Sequence, residues 1–256
     1  MDPATLAGIG LAFGAVFGSM VLEGGNPMAI FLPGPLLLVF LGTFGAGMAG
    51  GLLKDATGIV KWFKVAFLGS APMGADTVDT VVSLAEKARK EGLLALEDAA
   101  RQVDEPFLRR GLELAIDGTD PEELREVLES EIDAKRRADK AGAKFFSDMG
   151  AYAPTIGIIG TVTGLVHVLE NLSAPEELGH LIAGAFVATL WGVMSANVIW
   201  LPLGNKIKRI SELQCAQLEL LVEGIMSIQA GASPRVVARR LRSLLPPDQQ
   251  PEDEAA

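Results

Sequence analysis

Four long runs of the chain are almost free of charge: residues 4–22, 34–53, 150–169 and 180–203. Elsewhere the charged residues bunch together instead of alternating with apolar ones. A helix rises 1.5 Å per residue, so about 20 apolar residues cross the hydrocarbon core of a bilayer. The pattern predicts an all-α membrane protein with four transmembrane helices and long cytoplasmic helical extensions. The third run is not a plain lipid anchor. Gly157, Gly160 and Gly164 flatten it, and Thr155, Thr161 and Thr163 add hydroxyls that lipid does not reward. Gly160 and Gly164 have the spacing that lets helices approach closely. Pro154 removes one backbone donor near its start. Such a helix faces protein or a polar path.

Lys and Arg set the orientation. The loops at 23–29 and 170–177 contain none. Lys54, Lys61 and Lys64 follow the second run, Lys135 to Lys144 precede the third, and Lys206, Lys208 and Arg209 follow the fourth. Both termini and the middle segment are therefore expected in the cytoplasm. Four segments result: 1–69 with helices one and two, 70–148 as a cytoplasmic helical loop, 149–205 with helices three and four, and 206–256 as C-terminal helices with an acidic tail. The first run lacks a basic leader and a cleavage site, so a removable signal peptide is not expected.

Within the loop, helices are predicted over 76–90, 93–103 and 106–116, with Gly92 as a C-terminal break. Asp120, Pro121 and Glu123 form a helix-start signal. From there Leu124, Leu128 and Ile132 lead without a breaker toward Pro154, where a kink is expected. The fourth run starts at a second signal, Ser173 with Pro175 and Glu176. Its Gly184, Ala188, Gly192 and Ala196 form a stripe of small residues, and Gly10, Gly14 and Gly18 form another in the first run. Pro202 marks the fourth run's cytoplasmic end, with helical spacing resuming through Gln229. Lys61-Trp62-Phe63-Lys64 reads as an interfacial anchor.

A net charge of −10 argues against nucleic acid as a partner. The single cysteine, Cys215, excludes a disulfide framework within one chain. An ion pathway normally needs an ionisable group inside the membrane. Runs three and four have none at mid-depth, only hydroxyls and an amide: Thr155, Thr161, Thr163, Thr189, Ser195 and Asn197. His167 lies near the outer end and reads as interfacial. Any carboxylate that loads an ion must come from another chain. A free-standing transporter or a membrane enzyme would need a charged site or a catalytic cluster, and neither is present.

The stretch from Ala88 to Glu97, the start of run three from Ala153 to Thr161, and Phe186 to Thr189 through Asn197 to Pro202 resemble the MotA/PomA flagellar stator proteins. The resemblance spans essentially the whole chain. It implies a homopentamer in the bacterial inner membrane around a MotB- or PomB-like single-helix, peptidoglycan-binding partner that supplies an aspartate. Ion flow would turn the pentamer against the rotor protein FliG. By the same resemblance Arg89 and Glu97 contact the rotor, Pro154 and Pro202 couple ion flow to motion, and Thr155, Thr161 and Thr189 face the partner's aspartate. The stripe through Gly192 is then expected to pack subunits together. No cofactor and no permanently bound metal is implied. Hydroxyl and carbonyl oxygens suit Na+, and a threonine at the Thr161 position is similar to sodium-driven members, so transported Na+ is favoured over H+. The alternative is an ExbB/TolQ-type energiser of envelope transport, a group with three membrane helices.

Overall fold

The computed structural model describes residues 3–69, 74–246 and 249–250. The described residues are helical throughout, joined by short turns, and the chain divides into two compact units. The first comprises residues 1–70 and 139–210, the second residues 71–138 and 211–256.

In the first unit, α1 (Ala4–Leu22) leads through a single 3-10 turn (Pro27–Ile30) to α2 (Pro33–Ala49). Asn26 caps that turn by accepting from the Met28 N–H at 2.9 Å. Glycines 50 and 51 stop α2, and α3 (Leu53–Thr57) and α4 (Ile59–Leu68) follow. Helix α1 turns its bulky side inward. Phe13 and Phe31 gather on the Trp191 ring, which also donates from Nε1 to the Ile30 carbonyl at 2.7 Å. The glycines of α1 point the other way. A Cβ built on Gly10, Gly14 or Gly18 would meet nothing within 4 Å.

In the second unit, α5 (Gly74–Glu91) ends at Gly92, whose φ of 88° only glycine adopts readily. A 3-10 turn (Leu93–Leu96) and α6 (Glu97–Arg101) replace the continuous helix expected over 93–103. The positive φ at Gly92 reverses the chain, and Leu96 is buried to pin the new direction. Then comes α7 (Pro106–Ile116), with Glu105 accepting from the Phe107 N–H. Helix α8 (Pro121–Glu170) contributes its residues up to Ala138 here and the remainder to the first unit. Asp120 Oδ1 accepts from the Glu122 N–H at 2.9 Å at its start. Leu124, Leu128 and Ile132 recur on one side of it and are buried with Leu112, Leu221 and Ile225. Each such side chain contributes about 1.5–3 kcal/mol by leaving water.

The second helix start lies one residue later than expected. Helix α9 (Pro175–Ser195) has Ala174 at its N-cap, with no side-chain cap, and Ser173 stands outside. Pro175 at the first position needs no cap for its own missing N–H. Pro202 does not interrupt the helix, which continues to Gln229 in line with the helical spacing there. A π-turn (Ala196–Trp200) joins α9 to α10 (Leu201–Gln229), and the Leu201 N–H donates to the Ala196 carbonyl five residues back. A proline ring would clash with the carbonyl four residues earlier, that of Val198, and the wider turn relieves this. Helix α11 (Pro234–Arg242) closes the described chain.

By length and composition three helical runs can cross a membrane: α1, α8, and the continuous run from Pro175 to Gln229. Helix α2 is apolar but has 17 residues. Trp62 is not an interfacial anchor. It is 6% exposed, and its ring lies where a side chain on Gly142 would stand, 2.1 Å from the position of a Cβ. The missing side chain of Gly142 opens a slot, and burying an indole in that slot outweighs leaving it at the headgroups. Lys61 and Lys64 stay exposed, with the Lys61 Nζ 4.7 Å from the Trp62 ring.

Candidate ion-pathway site

The site begins with glycine. A Cβ on Gly157 would stand 2.8 Å from the Ala188 carbonyl oxygen, and one on Gly192 would stand 2.6 Å from the Ala153 oxygen. A Cβ on Gly160 or Gly164 would stand 2.6 or 2.7 Å from the side-chain Cβ of Ala188 or Ala185. Helices α8 and α9 are therefore in backbone contact, which only small residues permit. This corrects the expectation that the Gly192 stripe packs subunits: at Gly192 the space is already filled by the chain's own Ala153 and Gly157.

Close approach brings two threonines together. Thr161 Oγ1 reaches the Gly157 carbonyl on its own helix at 3.3 Å and the Ala185 carbonyl on α9 at 3.0 Å. Thr189 Oγ1 donates to the Gly157 carbonyl at 3.3 Å, and the two hydroxyls hydrogen-bond to each other. Each hydroxyl has one proton to give and lone pairs to accept with. Two protons thus serve two carbonyls and a hydroxyl–hydroxyl bond, so the set can redistribute its donors. The four oxygens form a half-buried, neutral cluster without a carboxylate.

The other polar groups in this region bond back to their own helix. Thr155 donates to the Tyr152 carbonyl at 2.8 Å and is exposed. Thr163 donates to Ile159 and Gly160, Ser195 to Gly192, and Asn197 to Val193. Thr155 is therefore outside the network that joins Thr161 and Thr189. His167 lies 3.4 Å from Glu170 and is exposed.

The two prolines are linked through a neighbour. Pro154 leaves the Gly150 carbonyl without its helix donor. Gly150 packs against Leu201, the residue before Pro202, at 2.5 Å from a built Cβ to Leu201 Cδ2. The weak points of the two helices therefore abut.

Arg89 and Glu97 occupy the second unit. Arg89 is exposed in the last turn of α5 and makes no ion pair among the described residues. Glu97 opens α6 and pairs with Arg101 at 2.6 Å, both side chains being more than half exposed. The two sites flank the Gly92 turn and do not bond to each other. Farther along, Glu223 bridges Arg125 at 2.7 Å and Arg240 at 2.5 Å. The hydrogen bond that Arg125 donates to the Glu223 carboxylate raises its guanidinium above the ordinary arginine range. Sequence spacing did not reveal the carbonyls of Gly157 and Ala185 as members of the cluster. The available signal was the glycine and alanine spacing around them, because only bare backbone offers its oxygens to a facing helix.

A model of the MotA/TolQ/ExbB proton channel family matches residues 99–220. Motility protein A of Bacillus subtilis is 37% identical over 250 residues, covering 96% of this chain and 92% of that one. The C. jejuni MotAB structure superposes with a TM-score of 0.92 at 30% identity, covering 97% of each chain. The flagellar MotAB stator complex from Bacillus subtilis gives 0.88 at 36% identity, covering 95% of this chain and 96% of that one. A chain alike from end to end in sequence and in backbone, with the apolar runs and small-residue helix contact described above, belongs to the MotA branch of the MotA/TolQ/ExbB family.

Proposed function

We infer that this chain is a flagellar motor stator subunit that forms an ion channel with a MotB-like partner and converts ion flow into torque. The observation that carries the reading is the oxygen cluster of Thr161, Thr189, Gly157 and Ala185, set between stretches of α8 and α9, residues 151–169 and 178–195, that contain no carboxylate. Such a wall serves an ion only if another chain brings the charge. The full-length likeness to chains from MotAB complexes supports a MotB-like partner in that role. The names of the relatives favour this over an ExbB/TolQ-type energiser.

In this reading α2 is the second of four membrane spans, both termini lie in the cytoplasm, and the membrane is the bacterial inner membrane. Five copies surround the partner. Thr161 and Thr189 line the ion's path, with Thr155 a turn and a half away on the exposed side of α8. The contact of Gly150 with Leu201, beside Pro154 and Pro202, is the place where loading of the partner's aspartate bends α8 and α10. Arg89, with no ion pair to break, is the primary contact to the rotor protein FliG, and Glu97 contributes once it leaves Arg101. The transported ion is Na+, because an oxygen-only cluster replaces a hydration shell and a proton needs no such shell.

Swimming of cells that depend on this chain tests the reading. Arg89→Glu is expected to abolish most motility while the protein inserts and assembles, since a reversed charge turns attraction at an interface into repulsion. Normal swimming in that variant would remove Arg89 from the rotor contact. Speed at fixed pH should rise with external Na+, and Thr161→Ala should raise the concentration needed for half-maximal speed. Speed independent of Na+ would leave H+ as the ion.

A further inference from the structure

A groove of about 500 Å³ runs between α1 and the π-turn and start of α10, entirely within the first unit. That volume falls inside the roughly 300–1,000 Å³ range of small-molecule sites. Its two ends differ in chemistry. Gly8, Ile9 and Ala12 make an apolar wall at one end, and Asn205, Lys206 and Arg209 surround the other. No carboxylate occurs among its described lining residues.

We propose that this groove binds one anionic phospholipid, its acyl chain along α1 and its phosphate at Lys206 and Arg209. Two observations and one general rule point there. First, α1 is a membrane-crossing helix with none of its span buried in the chain, so its flank borders lipid and not water. Second, the cations Lys206 and Arg209 stand at one end only, opposite the apolar wall of Gly8, Ile9 and Ala12. Third, basic pockets between membrane helices on the cytoplasmic side are where anionic headgroups collect. Both cations also hold interactions within the chain. Charge complementarity at one end and apolar surface at the other fit an amphiphile better than a free phosphate, which would leave the Ile9 end empty. The proposal uses the membrane embedding of α1 and is independent of the stator reading.

The test counts lipids retained by the full-length chain, alone and with its single-helix partner, after extraction from nanodiscs of equal phosphatidylglycerol and phosphatidylcholine, by native mass spectrometry. The wild-type chain should retain phosphatidylglycerol selectively. The double variant Lys206→Gln with Arg209→Gln should lower that retention by about thirtyfold, from two surface cations near a headgroup. Gly8→Leu, at a position where a Cβ meets nothing within 4 Å, should fill the groove and lower retention of both lipids. Equal retention of the two lipids by the wild type, or undiminished phosphatidylglycerol in both variants, would overturn the proposal. So would displacement by glycerol phosphate, which would assign the cations to a free phosphate. Cross-linking of Ala12→Cys to a second copy in place of lipid would assign the groove to a subunit interface. A chain that selects phosphatidylglycerol alone but never recovers a partner would count against the stator reading and leave the lipid site standing.

Discussion

Stripes of small residues at helical spacing have opposite fates in two parts of the first unit. On α8 and α9, Gly157 and Gly192 bring backbone against backbone, with built Cβ atoms under 3 Å from carbonyl oxygens. On α1, Gly10, Gly14 and Gly18 meet nothing. Spacing permits close approach and does not compel it. What decides is the rest of the helix. In α1 the phenylalanines occupy the other face and carry the packing onto Trp191. In α8 the large apolar residues between the glycines, Ile158, Ile159 and Val162, are exposed, so the small face is the one that packs.

Substitution at each stripe tests that contrast. The largest effect is expected at Gly192→Leu. Its first obstacle is the Ala153 carbonyl, which is backbone and cannot rotate away. Overpacking commonly costs about 1–3 kcal/mol where side chains can shift, and this site should reach or exceed the upper end. Thermal melting of the purified chain in detergent checks it; a melting point unchanged from wild type would mean that α8 and α9 are free to separate. Glu223→Gln should come next. It releases Arg125 and Arg240 from one carboxylate, but both arginines are at least a third exposed, so a loss of about 1 kcal/mol is expected and should shrink in high salt. Denaturant midpoints at low and high ionic strength measure this, and a salt-independent loss would point to packing instead. Gly14→Leu should be the mildest, within about 0.5 kcal/mol, since nothing stands in its way. A large loss confined to the assembled complex would show that a second chain fills that face.

Local signals in the chain were good guides to local structure. Pro106 and the Asp117-Gly118 pair bound α7 as read, and Gly92 takes the left-handed conformation that its place after an apolar run suggests. The backbone contact of α8 with α9 was legible as spacing, though not its partner: the same stripe served equally well for a contact between subunits. Trp62 was misread because flanking lysines are a surface signal, while the slot that holds its ring is made by Gly142, far along the chain. The oxygen cluster could be guessed only in part. Thr161 and Thr189 are visible in sequence, but a carbonyl is common to every residue, and geometry alone selects those of Gly157 and Ala185.

The π-turn has a further consequence for register. Counting 3.6 residues per turn from buried Ala188, the inward face of an unbroken α-helix would pass close to residue 206. The buried residue is Ile207, and Lys206 is only partly covered. The turn therefore absorbs one surplus residue, a phase offset of about 100°. Straightening it without shortening the chain would swing a lysine toward the side where Leu203 and Ile207 are now buried. Removing one residue from it would keep Ile207 inward on a plain α-helix. The segment behaves as a single-residue insertion held in reserve, and its deletion separates what the widened turn does beside Pro202 from what the helix needs merely to pack.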